Sequence, residues 1–226
     1  MEAATAVEGR PGTGLARWAA LSGALYVLLF VIGTITLFSG TKGGDDPPAT
    51  VIKYYSDSGH RDKINVGWII VGLSVFFLLW FIAALRRTVS ASDRDGILTT
   101  IVTIGGSIYA ALALVAVALE AAIKTMSDDT YRHQVFPELI HAADDAGWVI
   151  HASGAAGLAA MIIAASYAFM ARGTWPKWAG WLGIVVGILS LGAIAFFPDF
   201  LFLLWILAVS LLMFIRPERY EPVTTM

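Results

Sequence analysis

Cysteine is absent from this sequence, and charged residues are scarce. The 226-residue chain has no cysteine, which excludes disulfide bonds, thiolate zinc sites and iron–sulfur clusters. Only 14% of its residues are charged, whereas about a quarter are charged in an average soluble domain. The net charge is −2 and no run of lysine and arginine is present, so neither nucleic acid nor a polybasic lipid-binding patch is indicated.

Apolar residues are correspondingly abundant. They make up 58% of the chain, and the mean hydropathy is +0.73. Several apolar runs exceed about 18 residues, the length that predicts a membrane-spanning helix. We therefore expect an all-α polytopic membrane protein with six transmembrane helices in an antiparallel bundle. The predicted spans are about 18–38, 64–85, 97–123, 146–170, 178–197 and 200–215.

The polar segments between these runs are short. The predicted organisation begins with a disordered cytoplasmic tail, residues 1–14, and ends with a second cytoplasmic tail, residues 218–226. Between them lies a membrane domain, residues 15–217, which has two exterior loops, residues 39–63 and 124–145. In the first loop, Asp46 is expected to cap a short helix on the outer interface that has proline in its first turn. In the second loop, helical character resumes at Glu138, so the fourth helix is expected to begin before its apolar run.

The distribution of basic residues predicts the orientation. One side of the membrane receives short segments that are rich in basic residues and hold few acids; their basic residues are Arg10, Arg17, Arg86, Arg87, Arg94, Arg172, Lys177, Arg216 and Arg219. The opposite side receives the two long loops and most of the acids. The positive-inside rule then places both termini in the cytoplasm.

The outer end of the fourth helix carries the residues that indicate a site. Helical spacings of three, four and seven place one set on a single stripe: Glu138, His141, Asp144 or Asp145, Trp148 and His151. The third helix offers Glu120 near its outer end, with Tyr109 eleven residues earlier on nearly the same face. An ionisable group inside a membrane span needs a partner. We expect Glu120 to pair with His151.

Three interpretations of this cluster remain open. In the first, the cluster is structural: Glu120 snorkels outward or pairs with Lys124, and His151 makes a helix contact. In the second, Glu120, His151, Asp144 and Tyr109 bind a proton or a ligand from the exterior. In the third, His141, Asp145 and His151 hold zinc or manganese together with Glu120.

Two short stretches resemble a known family. One is the opening Ala16–Tyr26, an arginine just before a first span that bears glycine and tyrosine; the other is Trp175–Gly183, which leads into a glycine-rich fifth span. With these two stretches and its six-span layout, the chain resembles the DUF4386-like family of small bacterial multi-pass membrane proteins. No function is assigned to that family. The resemblance implies a plasma-membrane location and supplies no catalytic residue.

The function expected from the sequence is a small binding or proton-coupled transport module with an outward-facing polar pocket. The alternatives are a metal-dependent membrane hydrolase and a non-catalytic assembly subunit. The expected partners are the lipid bilayer and a second copy of the chain or another membrane protein. One G-x-x-x-G motif, Gly183 to Gly187, is interpreted as an internal helix contact rather than a dimer interface.

Overall fold

The computed structural model describes residues 12–43, 46–127, 134–195 and 200–215, which form helices and contain no β-strand. Its helices are α1 (Gly12–Phe38), α2 (Pro48–Ser56), α3 (Ser58–Ser90), α4 (Ile97–Thr125), α5 (Pro137–Ala171), α6 (Lys177–Ser190) and α7 (Leu201–Ile215); a 3₁₀ helix (Leu191–Ala195) follows α6. The all-α class predicted from the sequence is confirmed.

Four of these helices have the length and apolar composition needed to cross a membrane: α1 from Arg17 onward, α3, α4 and α5. They correspond to the first four predicted spans. The fifth and sixth predicted spans correspond to shorter apolar helices. A helix of 15 residues, such as α7, rises only about 22 Å, whereas a hydrocarbon core is about 30 Å thick.

The helices extend beyond the predicted spans because polar residues continue them past the apolar runs. Helix α1 begins at Gly12, so residues 12–14 of the predicted tail are helical. Helix α5 begins at Pro137, which confirms its early start. The rest of the first predicted tail, residues 1–11, and the whole of the second, residues 218–226, lie outside the described residues, as do residues 198–199 between the last two predicted spans.

Close backbone contact joins α4 to α5. A Cβ atom added to Gly105 of α4 would collide with the carbonyl oxygen of Gly157 in α5. The reverse also holds, because a Cβ on Gly157 would collide with the carbonyl oxygen of Gly105. Small residues allow helix backbones to approach in this way where no hydrophobic effect drives association. The pair therefore fixes the position of α5 relative to α4.

The glycines of α6 pack inside the protein. A Cβ added to Gly183 would meet Ser166 of α5, and one added to Gly187 would meet Ile163 of α5. The interpretation of this motif as an internal contact is confirmed. Helix α7 packs on α1, where the Ser210 hydroxyl donates a hydrogen bond to the Ala20 carbonyl at 2.6 Å.

Helix α2 covers one end of the bundle. Val51 and Tyr55, four residues apart, are fully buried, in one apolar cluster with residues of α1, α3, α4 and α5, which include Leu37, Ile64, Val117 and Ile140. The expected short helix therefore exists, and it packs onto the end of the bundle. We call residues 39–43 and 46–56 the lid.

The predicted helix cap at Asp46 is wrong. The N-cap position is Pro47, which makes no side-chain capping bond. The Asp46 carboxylate turns back instead, accepting the Gly43 N–H at 3.2 Å and lying 3.7 Å from the Lys42 ammonium. With Pro47 and Pro48 at the start of α2, the first turn has fewer N–H groups to satisfy, so the carboxylate is available to the loop.

Hydrogen bonds from side chains fasten the lid. Arg61, only 7% exposed, donates from Nη1 to the carbonyls of Tyr55 and Ser56, each at 2.9 Å. The Ser127 hydroxyl also donates to the Tyr55 carbonyl at 2.9 Å, and the Tyr55 hydroxyl donates to the Lys42 carbonyl at 2.7 Å. The Arg61 cation lies at the negative end of the α2 dipole, where it satisfies carbonyls that the helix leaves unpaired.

Removal of the Tyr55 hydroxyl should weaken the lid. We expect Tyr55→Phe to lower the free energy of unfolding by about 1 kcal/mol, because it leaves the Lys42 carbonyl without its donor while the ring stays in place. Chemical denaturation in mild detergent measures the change. Tyr167→Phe is the control, since Tyr167 is 56% exposed. An equal loss in both variants would contradict a role for the hydroxyl bond.

The same residue makes stability depend on alkaline pH. Burial raises the pKa of Tyr55 above its ordinary value, and nearby Asp144 adds to the rise. Below about pH 10 the hydroxyl is protonated in both folded and unfolded chains. Above that pH the unfolded chain gives up the proton first, so stability falls as pH rises. The fall should be shallower in Tyr55→Phe than in the wild type.

Candidate functional site: a buried charge cluster beneath the lid

Lys124 lies at the centre of the cluster. It occupies the last turn of α4 and is only 2% exposed. Its ammonium is 3.0 Å from Glu120 Oε2, one turn earlier on α4, and 2.6 Å from Asp144 Oδ1 on α5. The order Glu then Lys at a spacing of four is the favourable one on a helix. With all three groups ionised, the cluster carries a net charge of −1.

Glycines and an aromatic ring shape the walls of this cluster. A Cβ at Gly147 of α5 would collide with Glu120 Oε1, so the carboxylate occupies space that only glycine leaves open. A Cβ at Gly43 in the lid would collide with Asp144 Oδ2. The Lys124 ammonium also lies 5.1 Å from the centre of the Phe38 ring, within the range of a cation–π interaction. The lid and helices α1, α4 and α5 thus enclose the three charges.

The two adjacent acids of α5 have different surroundings. Asp144 is partly buried and reaches Lys124, whereas Asp145 is exposed. His141, one turn before Asp145, has a buried Nε2 atom with no hydrogen-bond partner. Among the described residues no group of three or more His, Asp or Glu side chains could hold a metal ion. His141, Asp145 and His151 are therefore not assembled as a metal centre in this structure.

Aromatic residues extend the site towards the middle of the bundle. The His151 ring lies 5.9 Å from the Tyr109 ring in an edge-on arrangement and 6.0 Å from the Trp148 ring. The Tyr109 hydroxyl is 3.2 Å from the Tyr26 hydroxyl of α1. Tyr109 is 1% exposed and Tyr26 is fully buried. A line of polar groups therefore runs inward from the cluster through His151 and Tyr109 to Tyr26.

The structure places Glu120 in an ion pair with Lys124. This contact is the one that the structural interpretation of the sequence predicts. His151, the partner that we expected for Glu120, lies within Coulombic range of it, and its ring contacts Tyr109 and Trp148. Of the proton or ligand candidates, Glu120 and Asp144 meet at Lys124, and His151 and Tyr109 form the adjoining aromatic contact.

Sequence reasoning missed the central position of Lys124. The predicted third span ends at residue 123, so Lys124 falls in a solvated loop; the helix in fact continues to Thr125 and carries the side chain under the lid. The four-residue spacing from Glu120 was the available signal. Nothing in the sequence marks Gly43 and Phe38 as neighbours of these charges. Gly43 lies in the first loop and Phe38 at the end of α1, and both are far from the charged residues along the chain.

No protein-family model, no curated protein and no solved structure matches the chain.

Proposed function

We propose that this chain is a membrane-embedded binding or proton-coupled transport module, in which the cluster of Glu120, Lys124 and Asp144 is the proton-binding site. The observation that carries the proposal is one fully enclosed ammonium shared by two carboxylates from different helices. The single ammonium of Lys124 can neutralise only one of the two carboxylates. The cluster therefore keeps one excess negative charge beneath the lid. A proton or a small cation relieves that excess.

The location of the cluster supports this function. It lies at the ends of α4 and α1 and two turns into α5, beneath the lid. Opening the lid would give water access to Asp144 first, since that side chain is already one third exposed, and to Glu120 behind it. His151, Tyr109 and Tyr26 then provide titratable or hydroxyl groups that lead further into the membrane domain.

The proposed topology has six spans in an antiparallel bundle, with both termini in the cytoplasm and the lid at the exterior face. Four helices are long enough to cross a bilayer by themselves. Helix α6 with its 3₁₀ extension, and helix α7, would be the fifth and sixth spans if the bilayer is thinner around them. The basic residues near the opposite end of α3 and α5 support this orientation. Membership of the DUF4386-like family and residence in a bacterial plasma membrane belong to the same proposal.

A second candidate is an assembly subunit whose cluster is only a structural bridge. The contacts of Lys124 favour it, because the ammonium has a carboxylate partner on each of two helices and a ring beside it. In that case the three charges remain ionised across the pH range in which the protein is folded, and no proton exchanges at the site.

Infrared titration separates these two functions. We expect the folded wild type to show a buried carboxyl that takes up a proton as pH falls and exchanges slowly with deuterated water. This signal should be absent from Glu120→Gln, because the amide keeps the shape of the side chain but cannot titrate. Glu138→Gln is the control, since Glu138 is an exposed acid in the first turn of α5.

Identical titrations of wild type and Glu120→Gln would overturn the proton-binding function and leave the assembly subunit. Loss of the same signal in Glu138→Gln would show that it belongs to exposed acids in general. Lys124→Gln gives a further check: the carboxyl signal should persist there but move towards higher pH, because the cation that favours the ionised form has gone.

A further inference from the structure

A small cavity lies at the end of the bundle opposite the lid. It has a volume of about 330 Å³ and is formed where α3 ends, the turn to α4 follows, and α5 ends. The polar residues of its wall are Ser90, Ser92, Asp93, Arg94 and Arg172. The two arginines are 78 positions apart in the chain, so the fold alone brings them to one cavity. None of these residues takes part in the charge cluster beneath the lid.

The acid in this wall is engaged by the helix that follows it. Asp93 accepts the Thr99 N–H through Oδ2 at 2.7 Å, near the N-terminus of α4. Hydrogen bonds from the first amides of α4, led by that of Thr99, lower the pKa of the Asp93 carboxyl. Its negative charge is therefore used to stabilise the positive end of α4.

Arg94 has a different environment from Asp93. No carboxylate of the described residues lies within ion-pair distance of Arg94, whose side chain is exposed at the cavity. Arg172 follows the last turn of α5, and its backbone N–H donates to the Ala168 carbonyl at 3.1 Å. Arg94 and Arg172 line one cavity from separate elements. A guanidinium group presents paired N–H donors that suit a tetrahedral anion.

The position of the cavity suggests the source of such an anion. Three helices with the properties of membrane spans, α3, α4 and α5, end or begin within a few residues of it. The ends of such helices lie at the depth of the lipid headgroups. Trp178, which is 70% exposed in the first turn of α6, is typical of the same depth.

We propose that this cavity binds a phosphate group, with Arg94 and Arg172 as its two charged donors and the Ser90–Ser92 turn beside them. The group belongs either to the headgroup of an anionic phospholipid or to a free phosphate compound. The proposal is independent of the proton site, because it concerns other residues at the other end of the bundle.

The test is a binding titration of the full chain in mild detergent, with phosphatidylglycerol and inorganic phosphate as the two probes. Native mass spectrometry counts the bound lipid, and thermal unfolding reports stabilisation by either probe. We expect Arg94→Gln to weaken binding about tenfold, since one charge-assisted contact is lost. Arg94→Gln/Arg172→Gln should weaken it further. Arg86→Gln/Arg87→Gln is the matched control, because it removes two exposed charges from the last turns of α3 that do not line the cavity.

The two probes identify the source of the phosphate. Binding of phosphatidylglycerol that inorganic phosphate does not displace assigns a lipid headgroup. Displacement and stabilisation by inorganic phosphate assign a free phosphate compound. The proposal is overturned if both probes bind Arg94→Gln and the double variant as tightly as the wild type, or if the control loses as much affinity. Arg94→Gln keeps the test valid if loss of Arg172 disturbs the end of α5.

Discussion

Replacement of Lys124 by methionine should lower the free energy of unfolding by about 3–5 kcal/mol near neutral pH. Methionine fills much of the same space, so the change removes the charge rather than the packing. Glu120 and Asp144 would then face each other without the ammonium that now lies 3.0 Å and 2.6 Å from them. Removal of one member of a buried ion pair is costly because the charges of its former partners stay buried without compensation.

The measurement is reversible chemical denaturation in mild detergent at several pH values. The loss of stability in Lys124→Met should shrink as pH falls, because protonation removes the charges that have lost their partner. Lys53→Met is the control, since Lys53 is an exposed lysine of α2. The double variant Lys124→Met/Glu120→Gln should regain part of the loss. A variant as stable as the wild type at neutral pH would mean that the three charges do not interact as the structure indicates.

Gly157→Ala should be strongly destabilising, by about 2–3 kcal/mol, although alanine is normally the better helix former. The added methyl group would overlap the carbonyl oxygen of Gly105, which belongs to the α4 backbone and has no rotamer with which to move aside. Helices α4 and α5 would have to separate. Because the same two helices carry Glu120, Lys124 and Asp144, the separation should also weaken the ion pairs.

Gly72→Ala is the matched control for this substitution. A Cβ atom at Gly72 of α3 would meet nothing within 4 Å. Alanine there should be neutral or raise stability by about 0.5–1 kcal/mol, the ordinary helix preference over glycine. Unfolding curves of the two variants should therefore shift in opposite directions. Shifts of the same sign and size would contradict the close approach of the α4 and α5 backbones.

Much of the fold follows from local features of the sequence. The apolar runs are long enough to require helices, and the helix that starts at Pro137 was indicated by the spacing of its polar residues. Prediction was weaker where polar residues continue a helix beyond its apolar run, as at Lys124. Composition alone marks such residues as loop, whereas the backbone hydrogen bonds of the preceding turn extend the helix through them.

The candidate site was predicted only in part. Glu120 was identified because an acid inside a span needs a partner, and Asp144 because it lies on the polar stripe of its helix. Their shared partner Lys124 was not recognised as the centre, because the predicted span ended one residue before it. The burial of Tyr55 and the approach of Gly43 involve residues far away in sequence, for which no local pattern exists. The same reason explains why Arg94 and Arg172 could not be recognised as neighbours.

Helix α5 is continuous from Pro137 to Ala171, and this continuity has a mechanical consequence. Asp144 lies near its start and Arg172 directly after its end, about 42 Å apart at the rise of an α-helix. The close contact with α4 at Gly157 is roughly midway between the two residues, so a helix that moved as one body would turn about that contact. A tilt of α5 by a few degrees would move Asp144 and Arg172 in opposite directions, by an ångström or so each. A change at one end of the bundle would then have a geometric counterpart at the other.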